Sequence, residues 1–247
     1  MSTLIAAVRS LATYVAVSLY VLLFGPPFLL LALATGNALT LYRVALGGVR
    51  LGLWLSGISV RVRNPENIQR DRAAVYAVNH ASNVEPPILY ETLSELFPRL
   101  RILYKAELRK LPILVRAFDL AGFVPLERGN RDQSLPAIER AAEALRDGNS
   151  FLIFPEGTRS RTGRLLPFKK GGFIMAIKAQ VPIVPVAIAG GRNAMRKGSA
   201  FVRPVHVSVR IGRPIPTAGL SLDNRDELVT RARAEVQKLL DEGPVWT

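Results

Sequence analysis

Hydrophobic and polar positions are distributed unevenly along this chain. From Ser10 to Tyr42 there is no charged residue, a run of 33 positions, whereas charges recur every few residues from Arg61 onward. A continuous helix over that run would be about 50 Å long, well beyond the roughly 30 Å hydrocarbon core of a bilayer. Gly25-Pro26-Pro27 falls near its middle, where prolines remove backbone donors and disfavour helix in the preceding residue. The pattern predicts a helical hairpin broken at those residues and dipping into the bilayer, with a single tilted span as the alternative. Arg9 before the run and Arg43 and Arg50 after it place both ends on the cytoplasmic face of the cell (inner) membrane. Gly47 to Gly57, with Trp54, reads as an interfacial segment. A cleaved leader does not fit, because the apolar region is too long and no small-residue cleavage site precedes a polar start.

The remainder alternates short apolar runs with helical stripes. Ile58 to Arg63 has period two and predicts a half-exposed strand. Ala73 to Val78, Arg101 to Tyr104, Gly122 to Leu126, Phe151 to Phe154, Ile183 to Ala189 and Val205 to Ile211 read as further strands. Helices are expected at Pro87 to Phe97, Asp132 to Arg146, Gly172 to Gln180 and Asp223 to Leu240; Leu135, Ile138, Ala142 and Leu145 form the stripe of the second. Such interleaving predicts an α/β fold: a mixed, mostly parallel sheet flanked by helices, with an N-terminal membrane-embedded helical hairpin. Residues 1–57 are expected to form the membrane-associated segment and 58–247 a single α/β domain.

Composition narrows the chemistry. Lys and Arg number 33 against 19 Asp and Glu, a formal charge of +14. Anionic membrane lipid suits both that charge and the apolar run, since basic residues near a membrane gain about 1 kcal/mol each from the negative leaflet. Nucleic acid does not, because no basic motif interleaved with aromatic residues is present. Cysteine is absent, which excludes disulfides, thiolate zinc sites and an acyl-cysteine intermediate. Only His80 and His206 supply imidazole, so paired-histidine zinc helices are excluded as well.

His80 stands where an apolar strand gives way to the polar turn Asn79-His80-Ala81-Ser82-Asn83-Val84-Glu85. An imidazole there can take a proton from a hydroxyl at neutral pH. Glu85 meets it if His80 precedes a helix and Glu85 lies in the first turn, where the carboxylate would hold one ring nitrogen. Ser82-x-x-Glu85 reads equally well as a capping box with the carboxylate turned to the backbone. His206 shares the polar side of its strand with Ser208 and Arg210 and is read as a surface residue.

A second polar turn, Phe154-Pro155-Glu156-Gly157-Thr158-Arg159-Ser160, suits an anion. Gly157 permits close backbone approach, Thr158 adds a hydroxyl and Arg159 a planar fork of donors. Glu156 is counted with the substrate-binding residues of this turn and is expected to order the loop by pairing with an arginine, while Arg161 and Arg164 belong to the solvated rim. Lys105, Arg128 and Lys169 each follow a strand or turn and are candidates to converge on the same anion. Val181 to Val186 reads either as an acyl-channel wall or as a core edge strand.

In combination these blocks resemble the membrane glycerolipid acyltransferases, in particular the 1-acyl-glycerol-3-phosphate acyltransferase family. Asn79 to Glu85, Gly122 to Arg128, Phe154 to Ser160 and Val181 to Val186 match in order, and the third is the most specific. The family usually has Asp where Glu85 stands, and Ile-Asp-Arg where this chain has Leu126-Glu127-Arg128. Two such departures suggest a divergent subgroup. The resemblance implies that His80 removes a proton from a lysophospholipid acceptor, whose oxygen attacks the thioester of an acyl-CoA or acyl-carrier protein donor. Arg128, Gly157 and Arg159 would hold the acceptor phosphate and Lys105 assist, with no metal or cofactor. Another lysolipid acceptor, such as a lyso-ornithine lipid, or a non-catalytic anionic-lipid binder are the alternatives.

Overall fold

The computed structural model describes residues 3–127, 131–243 and 245. It opens on two apolar helices, α1 (Thr3–Thr35) and α2 (Ala38–Ser56), long and apolar enough to cross a membrane. The hairpin is present, but its bend is not at Gly25-Pro26-Pro27: α1 runs through both prolines. Prolines forfeit their own donors, yet in apolar surroundings the helix remains the conformation that satisfies the backbone around them. The turn falls at Gly36, whose φ of +66° suits glycine, and at Asn37, whose side chain accepts the Leu39 N–H at 3.0 Å.

The two helices run antiparallel. Tyr20 Oη donates to Val44 O at 2.9 Å, and its ring lies over Gly48, where a Cβ would approach ring carbons at 3.1 Å. Arg9 Nε donates to Leu55 O at 2.7 Å, a cation at the carbonyl end of α2. At the root of the hairpin, Ser10 Oγ accepts the Val202 N–H at 2.8 Å. Leu11, Val15, Leu22, Leu23 and Leu30 remain exposed on the outside, as does Trp54 at 73%.

The chain continues through β1 (Ile58–Arg63), β2 (Val75–Val78), α3 (Glu85–Thr92), β3 (Leu100–Lys105), α4 (Pro112–Leu120), β4 (Val124–Leu126), α5 (Arg131–Arg146) and β5 (Ser150–Ile153). It closes with α6 (Gly171–Ala179), β6 (Ile183–Ala189), the single turn α7 (Gly191–Ala194), β7 (Val205–Ile211) and α8 (Arg225–Asp241). The seven strands are ordered β1-β7-β6-β2-β5-β3-β4, parallel at every pairing except β6 with β7. The mixed, mostly parallel sheet is therefore as expected. Segment 106–110, α4 and α7 are additions that the pattern does not announce.

Both faces of the central strands are covered. Val75 and Ala77 pack with Phe151, Ile153 and residues of α5, α6 and α8, while Tyr76 and Val78 pack on the other face with Leu152, Val184 and α3. Burial on two faces explains why these strands read as continuous apolar runs without alternation. Val181 to Val186 lies neither at an edge nor along a channel, because β6 is an interior strand between β7 and β2. Pro185 is tolerated there because its missing donor would face β7 just beyond that strand's end. Val186 pairs with Ile211, and the neighbouring ladder resumes only at Ile183 and Ile215.

The polar side of β7 is also not what the alternation suggests. Ser208 and Arg210 are buried beneath the chain that follows α8. Arg210 Nε pairs with Glu242 Oε2 at 2.9 Å, and Ser208 Oγ accepts the Val245 N–H at 2.8 Å. His206, near the start of the strand, is exposed.

Candidate active site

Strands β6, β2 and β5 are adjacent and parallel, so the loops leaving their carboxyl ends meet. That is where ligands bind in open α/β sheets. Asn79 extends the β2–β6 pairing by one step: its side chain accepts the Ile188 N–H at 2.8 Å and donates to Ile188 O at 2.9 Å. His80 is then fixed from the β5 side. Its N–H donates to Glu156 Oε1 at 2.6 Å, and its carbonyl accepts the Ser160 N–H at 2.7 Å.

With the backbone held, the ring has one orientation to satisfy. His80 Nδ1 lies 2.9 Å from Glu85 Oε2, and the ring stacks on Phe154 with centroids 4.1 Å apart. Glu85 is 1% exposed, and the same oxygen accepts the Ala81 N–H at 2.8 Å. The capping-box alternative is thereby decided by geometry. Ser82 donates instead to Met195 O at 2.7 Å, and Glu85 is the first residue of α3, too early to reach back as the third.

Room for the Glu85 carboxylate comes from the turn after β6. A Cβ on Gly191 would lie 2.8 Å from Glu85 Oε1 and 2.9 Å from its Cγ. Gly190 is similarly constrained, with φ at +98° and the carbonyl of His206 2.5 Å from where its Cβ would stand. Neither glycine is singled out by the sequence motifs, although a Gly-Gly pair closing an apolar strand is itself a signal of close backbone approach.

Glu156 corrects the expectation that it pairs with an arginine or faces a ligand. It is buried, its Oε1 holds the His80 N–H and its Oε2 accepts the Leu166 N–H at 2.9 Å. Burial raises this carboxyl above the usual carboxylate range, and the two backbone bonds oppose that rise. The residue is a brace joining the histidine strand to the loop that crosses it.

The cationic candidates are distributed as follows. Gly157 has φ +68°, and a Cβ there would meet Lys169 Cε at 2.7 Å and Nζ at 2.9 Å, so the lysine lies directly over the glycine. Thr158 Oγ1 accepts from Lys197 Nζ at 3.2 Å, and Arg159 O accepts from the same ammonium at 3.0 Å. Lys197 is a residue no motif pointed to. Lys105 reaches the same cavity from the end of β3, half-exposed and paired with Glu107 at 2.7 Å. Arg128 lies outside the described residues.

In front of His80 opens a cavity of about 2030 Å³. His80, Asn83, Lys105, Gly157 and Lys169 are among its polar groups, together with Glu127, Lys170 and Arg225, and most of the remaining wall is apolar. Leu111 and Phe118 contribute from the β3–β4 connection, and Val17 and Tyr20 from α1. A shielded imidazole–carboxylate pair beside exposed ammonium groups and a deep apolar wall suits an amphiphile with an anionic head.

Comparison with known proteins agrees with this arrangement. A family model described as Acyltransferase matches residues 59–189, just over half of the chain. The chain is similar to the 1-acyl-sn-glycerol-3-phosphate acyltransferase of Limnanthes douglasii, 36% identical over 222 residues that cover 89% of this chain and 74% of that protein. It is also similar to the 1-acyl-sn-glycerol-3-phosphate acyltransferase of Borreliella burgdorferi, 30% identical over 78% of this chain and 76% of that one. Among solved structures it resembles the 1-acyl-sn-glycerophosphate acyltransferase PlsC of Thermotoga maritima, with a TM-score of 0.82, 26% identity and 98% of both chains covered.

Proposed function

The chain belongs to the acyltransferase family, and from that premise we propose that it moves a fatty acyl group from acyl-CoA or acyl-carrier protein to the free hydroxyl of 1-acyl-glycerol-3-phosphate, giving phosphatidate for phospholipid synthesis. The observation that carries this reading is the His80–Glu85 pair, 2.9 Å apart, at the polar end of a cavity lined by Lys105 and Lys169. With the Nδ1 proton donated to Glu85, Nε2 is left as an acceptor.

In the reaction Nε2 removes the acceptor's hydroxyl proton as its oxygen attacks the thioester carbonyl carbon. Glu85 stabilises the imidazolium that forms. Collapse of the tetrahedral adduct breaks the C–S bond, and the imidazolium returns the proton to the departing thiolate. Arg128, Gly157, Thr158, Arg159 and Lys169 are assigned to the acceptor phosphate, with Lys105 assisting. Glu156 acts only through the position of His80.

Residues 58–247 constitute the catalytic domain in this reading, and 1–57 anchor it on the cytoplasmic face of the cell (inner) membrane. The exposed apolar side of α1, with Ser10 bonded to Val202 and α2 running directly into β1, is the observation that favours this placement. Lipid acceptors would enter sideways from the bilayer.

The test is transfer from labelled acyl-CoA to lysophosphatidate by purified protein in mixed micelles, with other lysolipids in parallel. His80→Ala is expected to lower kcat by about 10²–10⁴-fold, the usual worth of a general base, while lysophosphatidate binding persists. Unchanged turnover in that variant would remove the imidazole from the mechanism. Faster transfer to a different lysolipid would reassign the acceptor.

A further inference from the structure

A second polar cleft, sharing no lining residue with the cavity in front of His80, opens beside the loop that follows β5. Its walls are the segment Thr162 to Leu165, Arg192 of α7, and Arg233, Gln237 and Leu240 of α8, enclosing about 750 Å³. Three guanidinium groups, those of Arg164, Arg192 and Arg233, line it, and no carboxylate does. None of the three takes part in a salt bridge among the described residues. Three unneutralised cations around one concave space call for an anion with more than one charge.

The cleft is held in shape and is not a chance gap between mobile side chains. Arg233 donates from Nη2 to Leu165 O at 2.9 Å and from Nε to Leu166 O at 3.2 Å. Arg192 donates from Nε to Arg161 O at 3.0 Å. Gly163, at φ +86°, brings the loop against the Arg192 side chain, where a Cβ would stand 3.4 Å from Cδ. Arg192 and Arg233 each use part of the fork on a carbonyl and keep further donors for a ligand.

The same loop connects the cleft to the chemistry. Leu166, whose carbonyl is held by Arg233, gives its N–H to Glu156, and the other oxygen of Glu156 holds His80. Only one side chain therefore separates the arginine cleft from the backbone of the proposed base. The acceptor's phosphate is assigned to Gly157 and Lys169, neither of which lines this cleft, so the cleft is available to the other substrate.

We propose that this cleft binds the phosphorylated nucleotide end of a coenzyme A thioester, with Arg164, Arg192 and Arg233 contacting its phosphates while the flexible arm carries the thioester over the loop to His80. The inference rests on the acyltransferase reading with a coenzyme A donor. A nucleotide bearing several phosphates matches three guanidinium groups around one cleft better than a helix of a carrier protein does.

Two measurements separate this inference from that reading. The first is calorimetric binding of adenosine 3′,5′-bisphosphate to the full-length protein in detergent, which does not depend on turnover. Binding to the parent that falls about tenfold or more in Arg164→Ala and in Arg192→Gln is expected, the size of losing one charge-assisted hydrogen bond. The second is steady-state transfer, in which the KM for acyl-CoA rises by the same factor in both variants while kcat and the KM for lysophosphatidate stay near the parent values. Arg164 has no side-chain hydrogen bond among the described residues, so its variant isolates ligand contact from loop shape. An acyl thioester lacking the 3′-phosphate is expected to react with the parent as weakly as the intact thioester does with the variants. Active parent enzyme with no bisphosphate binding, or with an unchanged acyl-CoA KM in both variants, would overturn the cleft and leave the acyltransferase reading intact. Bisphosphate binding by an enzyme that uses carrier-protein donors alone would overturn it too.

Discussion

Around His80, at the ends of β2 and β5, Asn79, Glu85 and Glu156 are all buried and each engages backbone amide groups. On the β3 side and along the crossing loop, Lys105 and Lys169 stand in solvent on flexible stems. The first region holds one ring in one place, and a shift of an ångström there separates base from hydroxyl. The second gathers charge around a headgroup, which several arrangements of lysine satisfy. Substitutions in the first region should therefore appear in kcat, and those in the second in KM.

The largest effect expected within this contrast is that of Glu85→Gln. The Ala81 N–H requires an acceptor beside His80 Nδ1, so the glutamine oxygen takes that place and keeps the ring tautomer, but the negative charge that stabilises the imidazolium is lost. Turnover should fall by about 10²–10³-fold with the KM for lysophosphatidate nearly unchanged. A variant with normal kcat would show that the carboxylate serves only the Ala81 amide.

Gly191 offers a sharper test of how tightly this side is built. Glu85 is one methylene longer than the aspartate usual in the family it resembles, and the missing Cβ at 191 is what gives its Cγ and Oε1 space. Gly191→Ala should destabilise the protein by about 1–3 kcal/mol in denaturant unfolding and reduce kcat, since the alanine methyl must displace the carboxylate. Shortening the acid in the double variant Gly191→Ala, Glu85→Asp should recover part of both losses, with a coupling of about 0.5–3 kcal/mol. Strict additivity would mean that the two positions do not share this space.

The same contrast explains what could be read from the amino-acid order. β2, β5 and β6 were legible because burial on both faces leaves short, wholly apolar runs, and the turns that end them carry His80 and Glu156. The hairpin was legible in kind, but its bend was assigned to Pro26-Pro27 because proline rules for water overstate helix breaking in apolar surroundings. Arg210 looked solvent-facing because the chain that covers it lies 32 residues further on. Gly191, Phe154 and Lys197 act through distance relations across loops, and no local periodicity encodes those. Proximity of Glu85 to His80 was open in the sequence because it depends on α3 beginning at Glu85, a boundary that Ser82 and the two prolines do not fix alone.

The smallest effects belong to the lysines, and their order is informative. Lys169 lies over Gly157 with no ion-pair partner among the described residues, so its charge is available to an incoming phosphate. Lys105 is half-exposed and shares its ammonium with Glu107 at 2.7 Å, and an exposed pair of that kind is worth about 0–1 kcal/mol. Lys169→Ala should raise the KM for lysophosphatidate about tenfold, the loss of one charge-assisted hydrogen bond, whereas Lys105→Ala should raise it only about two- to threefold. Glu107→Gln, by releasing Lys105, should lower that KM slightly. Added salt should weaken acceptor binding in the parent and in Lys105→Ala, and less in Lys169→Ala, where the larger electrostatic contribution is already gone. If Lys105→Ala proves the more damaging of the two, the headgroup sits nearer the end of β3 than the Gly157 turn, and the acceptor phosphate must be moved across the cavity.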